Sequence, residues 1–324
     1  MLHFLIRRIA LSLFLLWGVL TLSFFLVHMA PGDPVDLLLD PSLPAQDAAA
    51  MRHRLGLDRP IHVQYGEWIQ AVAVGDLGTS FRQHRPVRDI ILEALPLTLK
   101  LSVSALLAQY ILGCALGIFS AARRSTPAER VWTVLSLALY SMPIFWLGLM
   151  LQLLLSYYWR VFPSGGAPTL EFAEVGLLPW LSDQWRHAFL PVFVLAIGGA
   201  AGVARYARNS FVEILQQDYI RAARAKGLPE IVVLLKHALR NAAIPLFSLL
   251  GLNLPFLLSG SVVTEIIFSW PGMGRVTVDA IYGRDYPVIL ATTLLSGCMV
   301  VLGSLLADLG YAWADPRIRT GRSR

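Results

Sequence analysis

The chain has 324 residues, of which 56% are hydrophobic and only 15% are charged, and its formal net charge is +6. Soluble globular domains carry about 25% charged residues, so this composition argues against an ordinary soluble protein and favours a membrane protein. A nucleic-acid-binding protein would need a basic soluble domain with a recognisable motif. The sequence shows no such domain, so we expect no nucleic-acid partner.

Long apolar stretches recur six times along the chain. A helix needs roughly 20 mostly apolar residues to cross a bilayer. Residues 11–26 and 131–158 contain no charged side chain, whereas a soluble helix of such length would need a polar face. We therefore predict an all-α membrane protein with six transmembrane helices, at about residues 9–29, 97–120, 131–156, 188–208, 244–268 and 288–311.

Basic residues are distributed unevenly between the segments that join these spans. Lys and Arg collect at the N-terminus, between the second and third spans, between the fourth and fifth spans, and at the C-terminus. Cytoplasmic loops of membrane proteins carry an excess of Lys and Arg. The bias predicts a multi-pass protein of the bacterial or archaeal plasma (inner) membrane, with both termini in the cytoplasm.

The first segment outside the membrane, residues 31–95, is long and patterned. Turn-forming residues open it, and short helices are expected at about 46–55 and 61–74. We expect a small extracytoplasmic cap, with residues 88–95 lying along the interface before Pro96 starts the second span. The cap and the spans are predicted to form a single membrane domain over residues 1–324.

Proline and glycine mark two further irregular places. Pro143 lies inside the third span and predicts a kink there, since membrane helices tolerate proline where neighbours satisfy the freed carbonyl. The outside segment 162–187 contains Gly165, Gly166 and Pro179, and an irregular path is expected.

The longest cytoplasmic piece, residues 209–243, contains a polar, basic segment between two apolar runs. Gly227 and Pro229 predict two short helices broken between them. Small side chains there would let another protein approach the backbone closely, which indicates a docking element for a soluble partner. The candidate docking residues are Arg221, Ala222, Ala223, Arg224, Lys226 and Gly227. Contact of the three basic side chains with anionic lipid heads is the alternative.

Several kinds of chemistry are excluded by the residues present. The three lysines, Lys100, Lys226 and Lys236, lack the Gly before and the Ser or Thr after that a Walker A loop requires. The two cysteines, Cys114 and Cys298, lie in apolar spans and read as packing residues, and the seven histidines are scattered. We expect no catalytic residues, no metal site and no cofactor. Few ionisable residues lie inside the spans, which argues against an ion-coupled transporter.

Three polar residues fall inside predicted spans: Gln109, Gln152 and Asn253. They either make hydrogen bonds between helices or line a translocation pathway. Asn253 is the better pathway candidate, because its span also contains Gly251, Pro255 and Gly260 and would bend or unwind easily.

Several motifs occur in an order and spacing typical of one family. They are Pro31-Gly32-Asp33-Pro34, Gly75-Asp76-Leu77-Gly78-Thr79-Ser80, Leu95-Pro96-Leu97-Thr98-Leu99, Pro143 with Phe145-Trp146-Leu147-Gly148, Tyr219 through Gly227, His237-Ala238-Leu239-Arg240-Asn241, Phe268-Ser269-Trp270-Pro271-Gly272-Met273-Gly274, Arg284-Asp285-Tyr286-Pro287 and Asp315-Pro316-Arg317. Over essentially its whole length the chain resembles the permease subunits of ATP-binding-cassette importers of the dipeptide, oligopeptide and nickel branch.

The resemblance implies a type I importer permease with a MetI-like fold. A second, similar permease would complete the pathway, two cytoplasmic ATPase subunits would hydrolyse ATP, and an extracytoplasmic binding protein would deliver substrate. In the family pattern three residues separate Glu-Ala-Ala from a following Gly. Here Ala222, Ala223 and Gly227 match, and Arg221 stands in place of the Glu.

Di- or oligopeptides are the substrates that the resemblance favours, with nickel chelates or glutathione as alternatives in the same assembly. Two other classes of function stay open. A membrane enzyme would need a clustered catalytic constellation. An assembly subunit without a transport path would leave substrate uptake unchanged when it is deleted.

Overall fold

A computed structural model describes residues 2–38, 45–123, 126–169, 176–239, 241–242, 246, 249–250 and 262–314. Within these ranges every regular element is helical, apart from one antiparallel bridge between Thr79 and Pro86. The contacts divide the chain into two compact units. Unit 1 is Met1–Thr98 with Pro271–Val301, and unit 2 is Leu99–Trp270 with Leu302–Arg324.

The helices follow one another with short connections. In chain order they are α1 Leu2–Met29, α2 Pro34–Leu38, α3 Ala45–Arg54, α4 Ile61–Ala73, α5 Val87–Ala122, α6 Pro127–Ser141, α7 Ile144–Leu151, the π-helical stretch π1 Gln152–Tyr158, α8 Leu177–Leu215, α9 Asp218–Ala225, α10 Glu230–Val232, the π-helical stretch π2 Val233–Ala238, α11 Val262–Ile267, α12 Met273–Tyr282 and α13 Tyr286–Ala314.

Four of these helices are long and apolar enough to cross a membrane: Ile6–Met29, Val87–Ala122, Leu177–Leu215 and Tyr286–Leu306. The pair Pro127–Ser141 and Ile144–Tyr158 passes the same test together and would make a fifth. The predicted span at 244–268 lies mostly outside the described residues, and so the count of six stays a prediction. The short helices expected near 46–55 and 61–74 are confirmed as α3 and α4.

The third predicted span is broken rather than gently kinked. Helices α6 and α7 meet at an angle of 99°. Met142 is extended, with φ −74° and ψ 132°, and Pro143 caps the next helix. A residue that precedes proline is disfavoured in the α region, because the proline ring collides with its backbone. This local restriction ends α6 at Ser141.

The helix that contains the second predicted span begins before Pro96, because α5 begins at Val87 and continues through the proline. Ile90, Ala94, Leu101 and Ala105 are buried along one helical stripe before and after it. Packing of this continuous face compensates for the single backbone hydrogen bond that proline removes.

The irregular segment 162–187 was also predicted too long, because α8 begins at Leu177. Pro179 lies in the first turn, where backbone N–H groups have no acceptor within the helix. The N–H that proline lacks therefore costs no helical hydrogen bond. Residues 170–175 of this segment lie outside the described part of the chain.

Unit 1 brings three of the sequence motifs together around Asp285, which is only 3% exposed. Its carboxylate accepts hydrogen bonds from Ser80 Oγ, from the Phe81 backbone N–H at 3.0 Å and from the Arg82 N–H at 3.3 Å. Next to it, Arg284 Nη1 donates to the Asp33 carbonyl at 3.2 Å. These motifs therefore form a single polar turn network on the end of α13.

In unit 2, glycine allows α5 and α8 to approach closely. A Cβ at Gly113 would lie 2.6 Å from Cβ of Val203, and one at Gly117 would collide with Ala207 and with the carbonyl of Ala204. Small residues four apart are a recurrent means of close helix packing in membranes. The close contact fixes α8, which leads directly into the basic segment.

Candidate functional site: the basic segment

The basic segment, residues 218–230, consists of α9, a turn and the first residue of α10. Helix α9 ends at Ala225, and the N–H of Gly227 donates to the carbonyl of Arg224 at 2.9 Å. Gly227 has φ +77°, a left-handed conformation that side chains with a Cβ adopt at a cost. Pro229 then caps α10. The predicted break between two short helices at Gly227-Leu228-Pro229 is confirmed.

One face of α9 holds the segment on the protein. Ile220 is fully buried and Ala223 is 6% exposed. They pack in a cluster that also contains Phe211 from α8, Val233 and Ala238 from π2, and Ala121 and Ala242. Three residues separate Ile220 from Ala223, which places both on one side of a helix. The segment is thus a short amphipathic helix seated on the end of α8.

The opposite face carries most of the sequence-predicted docking residues. Arg221, Ala222, Arg224, Lys226 and Gly227 are all exposed. Ala223 differs from them, because its methyl group packs into the cluster and presents almost no surface to a partner. The structure therefore divides the Ala-Ala pair between two tasks: Ala223 anchors the helix, and Ala222 belongs to the open face.

An ion pair closes the turn between the two helices. Arg224 Nη2 lies 2.6 Å from Glu230 Oε1, and Arg224 Nε lies 3.1 Å from Oε2. The hydrogen bonds between them raise the pKa of Arg224 and lower the pKa of Glu230. Both side chains are about half exposed, so the pair sets the shape of the turn more than it stabilises the fold.

Apolar side chains next to the turn complete the exposed face, and sequence reasoning missed them. Ile231 is 61% exposed, and Leu228 and Tyr219 are also classed as exposed. Exposed apolar residues beside small ones are typical of a protein-binding surface. Their signal in the sequence was their position beside Pro229 and Gly227, in an otherwise polar segment.

Two of the three pathway candidates, Gln109 and Gln152, lie in the described part of the chain and contact different neighbours. Gln109 on α5 packs directly against Gly199 of α8, where it occupies the space that a Cβ would need. Gln152, at the start of π1, donates to the carbonyls of Ser164 and, at 3.3 Å, Ile267. Both amides thus contact neighbouring parts of unit 2. Asn253 lies outside the described residues.

Within the described part of the chain, no group of three or more His, Cys, Asp or Glu could hold a metal ion. The candidate site is therefore a surface made of a helix, a turn and an ion pair.

Two family models together match nearly the whole chain. The model described as "Binding-prot-dependent transport system membrane comp, N-term" matches residues 1–102. The model described as "Binding-protein-dependent transport system inner membrane component" matches residues 113–320. The chain belongs to this family. It is therefore a multi-pass permease subunit of the inner membrane and not an enzyme.

Curated relatives from this family align over almost their full length. The chain is 42% identical to the oligopeptide transport system permease protein AppB of Bacillus subtilis, covering 97% of this chain and 98% of the relative. It is 40% identical to the glutathione transport system permease protein GsiC of Salmonella typhi, covering 98% and 99%. It is 38% identical to the dipeptide transport system permease protein DppB of Escherichia coli K12, again covering 98% and 99%.

A solved structure supports the fold of this family member. A chain of the MetNI methionine ABC transporter superposes with a TM-score of 0.56, covering 70% of this chain and 96% of that chain at 17% identity. At this low identity the likeness concerns the fold alone. It confirms the prediction of an all-α, MetI-like permease fold.

Proposed function

We propose that the chain is one of two permease subunits in an ATP-driven importer of di- or oligopeptides. Two cytoplasmic ATPase subunits and an extracytoplasmic binding protein complete the assembly. Both termini and the basic segment face the cytoplasm, in keeping with the Lys and Arg bias of the sequence. Similarity to permeases named for oligopeptide, dipeptide and glutathione transport supports a substrate with peptide bonds.

The basic segment is the docking site for an ATPase subunit in this proposal. The observation that carries it is the division of α9 into a buried face, with Ile220 and Ala223, and an exposed face that continues through Gly227 to Ile231. A rigidly seated helix transmits movement to the helix it packs on. Closure of the ATPases would push α9, and the shared cluster would pass the displacement to Phe211 of α8.

Substitution of Gly227 tests the docking role. No atom lies within 4 Å of a Cβ built at Gly227, so the site has room for a side chain and only the positive φ opposes one. Gly227→Ala controls for that backbone strain, which costs about 1–2 kcal/mol. Gly227→Trp adds the same strain and a bulky ring on the docking face. We expect Gly227→Trp to abolish peptide uptake in cells that lack the native chain, and Gly227→Ala to retain most of it.

Membrane insertion and abundance of both variants are measured by immunoblot of membrane fractions. The docking step is measured by co-purification of the ATPase subunits with each tagged variant. If correctly inserted Gly227→Trp protein supports normal uptake and retains its ATPases, the basic segment is not the docking site.

Substrate class is tested separately. Uptake of a labelled dipeptide, a labelled pentapeptide, glutathione and a nickel chelate is compared in cells with and without the chain. Loss of peptide uptake alone supports the proposal, whereas selective loss of glutathione uptake supports the function named for the GsiC relative. Unchanged uptake of all four substrates contradicts the importer proposal and favours an assembly role.

A further inference from the structure

A long groove runs along unit 2 between helices α5, α6 and α8. Its first part has a cavity volume of about 510 Å³ and is lined almost entirely by apolar side chains, among them Leu112, Phe119, Trp132, Leu139 and Phe193. A second part, of about 290 Å³, continues from it. Leu116, Ser136 and Ala201 line both parts, so they form one groove.

The chemistry of the groove changes along its length. The second part is lined by Ser120, Thr133 and Ser136 and ends at Arg205 and Arg208. Arg208 is neutralised by Glu129, whose Oε1 lies 2.8 Å from its Nε. Arg205 is exposed, and it makes no ion pair or hydrogen bond with any side chain in the part of the chain that the structure describes. One guanidinium at the groove mouth is therefore available for an anion.

The groove is long enough to hold an acyl chain of one membrane leaflet. Along α8 it extends from Phe193 to Arg208. At a rise of 1.5 Å per residue this separation is about 22 Å. The hydrocarbon core of a bilayer is about 30 Å thick, so one leaflet contributes about 15 Å and leaves the arginine end at headgroup depth.

We propose that this groove is a binding site for an anionic phospholipid. An acyl chain occupies the apolar part, the hydroxyl groups of Ser120, Thr133 and Ser136 face the ester region, and Arg205 binds the phosphate. Arg208, neutralised by Glu129, adds no net charge to the mouth, so Arg205 is the cation that recognises the headgroup. The site is independent of the docking role of the basic segment.

The two-part chemistry favours a lipid over other occupants. A helix of a partner chain would cover the apolar part but would also have to supply a counter-ion for Arg205, because burying that charge unpaired is costly. A peptide would need hydrogen-bond partners for its backbone, and the apolar part offers almost none. A phospholipid satisfies both parts with one molecule.

Native mass spectrometry of the full-length chain in mild detergent tests the site. The probes are dioleoyl phosphatidylglycerol and dioleoyl phosphatidylcholine, which share acyl chains and differ in net charge. The wild-type chain should retain phosphatidylglycerol preferentially. Arg205→Gln should lower the ratio of bound phosphatidylglycerol to phosphatidylcholine by about fivefold, since a basic residue near an anionic lipid contributes about 1 kcal/mol.

Two further variants separate the parts of the groove. Lys236→Gln removes a different exposed cation, on π2 and outside the groove lining, and should leave the ratio unchanged. Ser136→Phe fills the junction of the two parts and should reduce retention of both lipids by a similar factor. Melting temperatures of all three variants are compared with the wild type to confirm that they fold.

Three results would overturn the proposal. The first is equal retention of the two lipids by the wild-type chain. The second is a lipid ratio that Arg205→Gln leaves unchanged, or that Lys236→Gln lowers equally. The third comes from a photo-crosslinking residue placed at position 136: exclusive crosslinking to another protein chain in intact membranes would assign the groove to a protein interface.

Discussion

Two carboxylates, Asp285 in unit 1 and Glu230 in unit 2, each hold a turn next to a helix, but they do so in different surroundings. Asp285 is 3% exposed and accepts three hydrogen bonds from residues 80–82. The Glu230 side chain is 53% exposed and makes one bidentate pair with Arg224. The buried carboxylate satisfies one buried and two partly buried donors, so its turn is fixed. The exposed pair shapes a turn whose charged groups could also make hydrogen bonds with water.

The difference fits the docking role proposed for the basic segment. A buried, fully satisfied network specifies one conformation. An exposed ion pair contributes little free energy and can be exchanged for contacts with a partner protein. The sequence motifs around Asp285 therefore maintain structure, whereas the basic segment is suited to docking.

Removal of the buried carboxylate should have the largest effect. Asp285→Ala leaves the Ser80 hydroxyl and two backbone N–H groups without their acceptor, which we expect to destabilise the chain by about 3 kcal/mol. Thermal unfolding in detergent measures the loss. Asp285→Asn retains one acceptor oxygen and should lose less stability than Asp285→Ala. Equal stability of the wild type and Asp285→Ala would show that the network does not fix the turn.

The adjacent alanines of the basic segment give a matched comparison of burial against exposure. Ala223→Leu introduces three heavy atoms into a packed cluster, which typically costs about 1–3 kcal/mol. Ala222→Leu adds the same atoms to the exposed face and should leave the melting temperature nearly unchanged. In peptide uptake we expect the Ala222→Leu chain, although folded, to be impaired because the docking face has changed. Full uptake by Ala222→Leu together with retained ATPases would remove Ala222 from the proposed interface.

The smallest effect is expected from the exposed ion pair. Glu230→Gln should change stability by less than about 1 kcal/mol, and the change should shrink as salt is added. The mobility of a spin label at position 228 measures how ordered the turn is. Gly227 and Pro229 stay unchanged in this experiment. If Glu230→Gln makes the label strongly mobile in both low and high salt, then Glu230 has a role in the turn beyond its ion pair with Arg224.

The same label tests the dependence of the turn on pH. The Arg224 hydrogen bonds lower the pKa of Glu230 below its ordinary value of 4.5. A carboxyl whose pKa is lowered on folding contributes its stabilisation above its unfolded value and loses it as the pH falls through its folded value. The turn should therefore stay ordered at neutral pH and loosen only below pH 4.5. Glu230→Gln should show no such transition.

Some features of the site follow from local sequence. Gly227 and Pro229 predicted the break between α9 and α10, because the first suits a positive φ and the second a helix start. The exposure of Arg221, Arg224 and Lys226 followed from their charge. The inward direction of Ala223 could not be predicted, since alanine carries no polarity that distinguishes a buried face from an exposed one.

The amino-acid sequence by itself determined the helical membrane character, the position of the proline break at Met142 and the family motifs. These properties depend on composition and on local backbone restriction, which a chain carries before it folds. Only the tertiary structure decided that α5 continues through Pro96, that α6 and α7 meet at 99°, and that distant motifs converge on Asp285. Those outcomes depend on which surfaces become buried together, and burial is set by contacts between residues far apart in the chain.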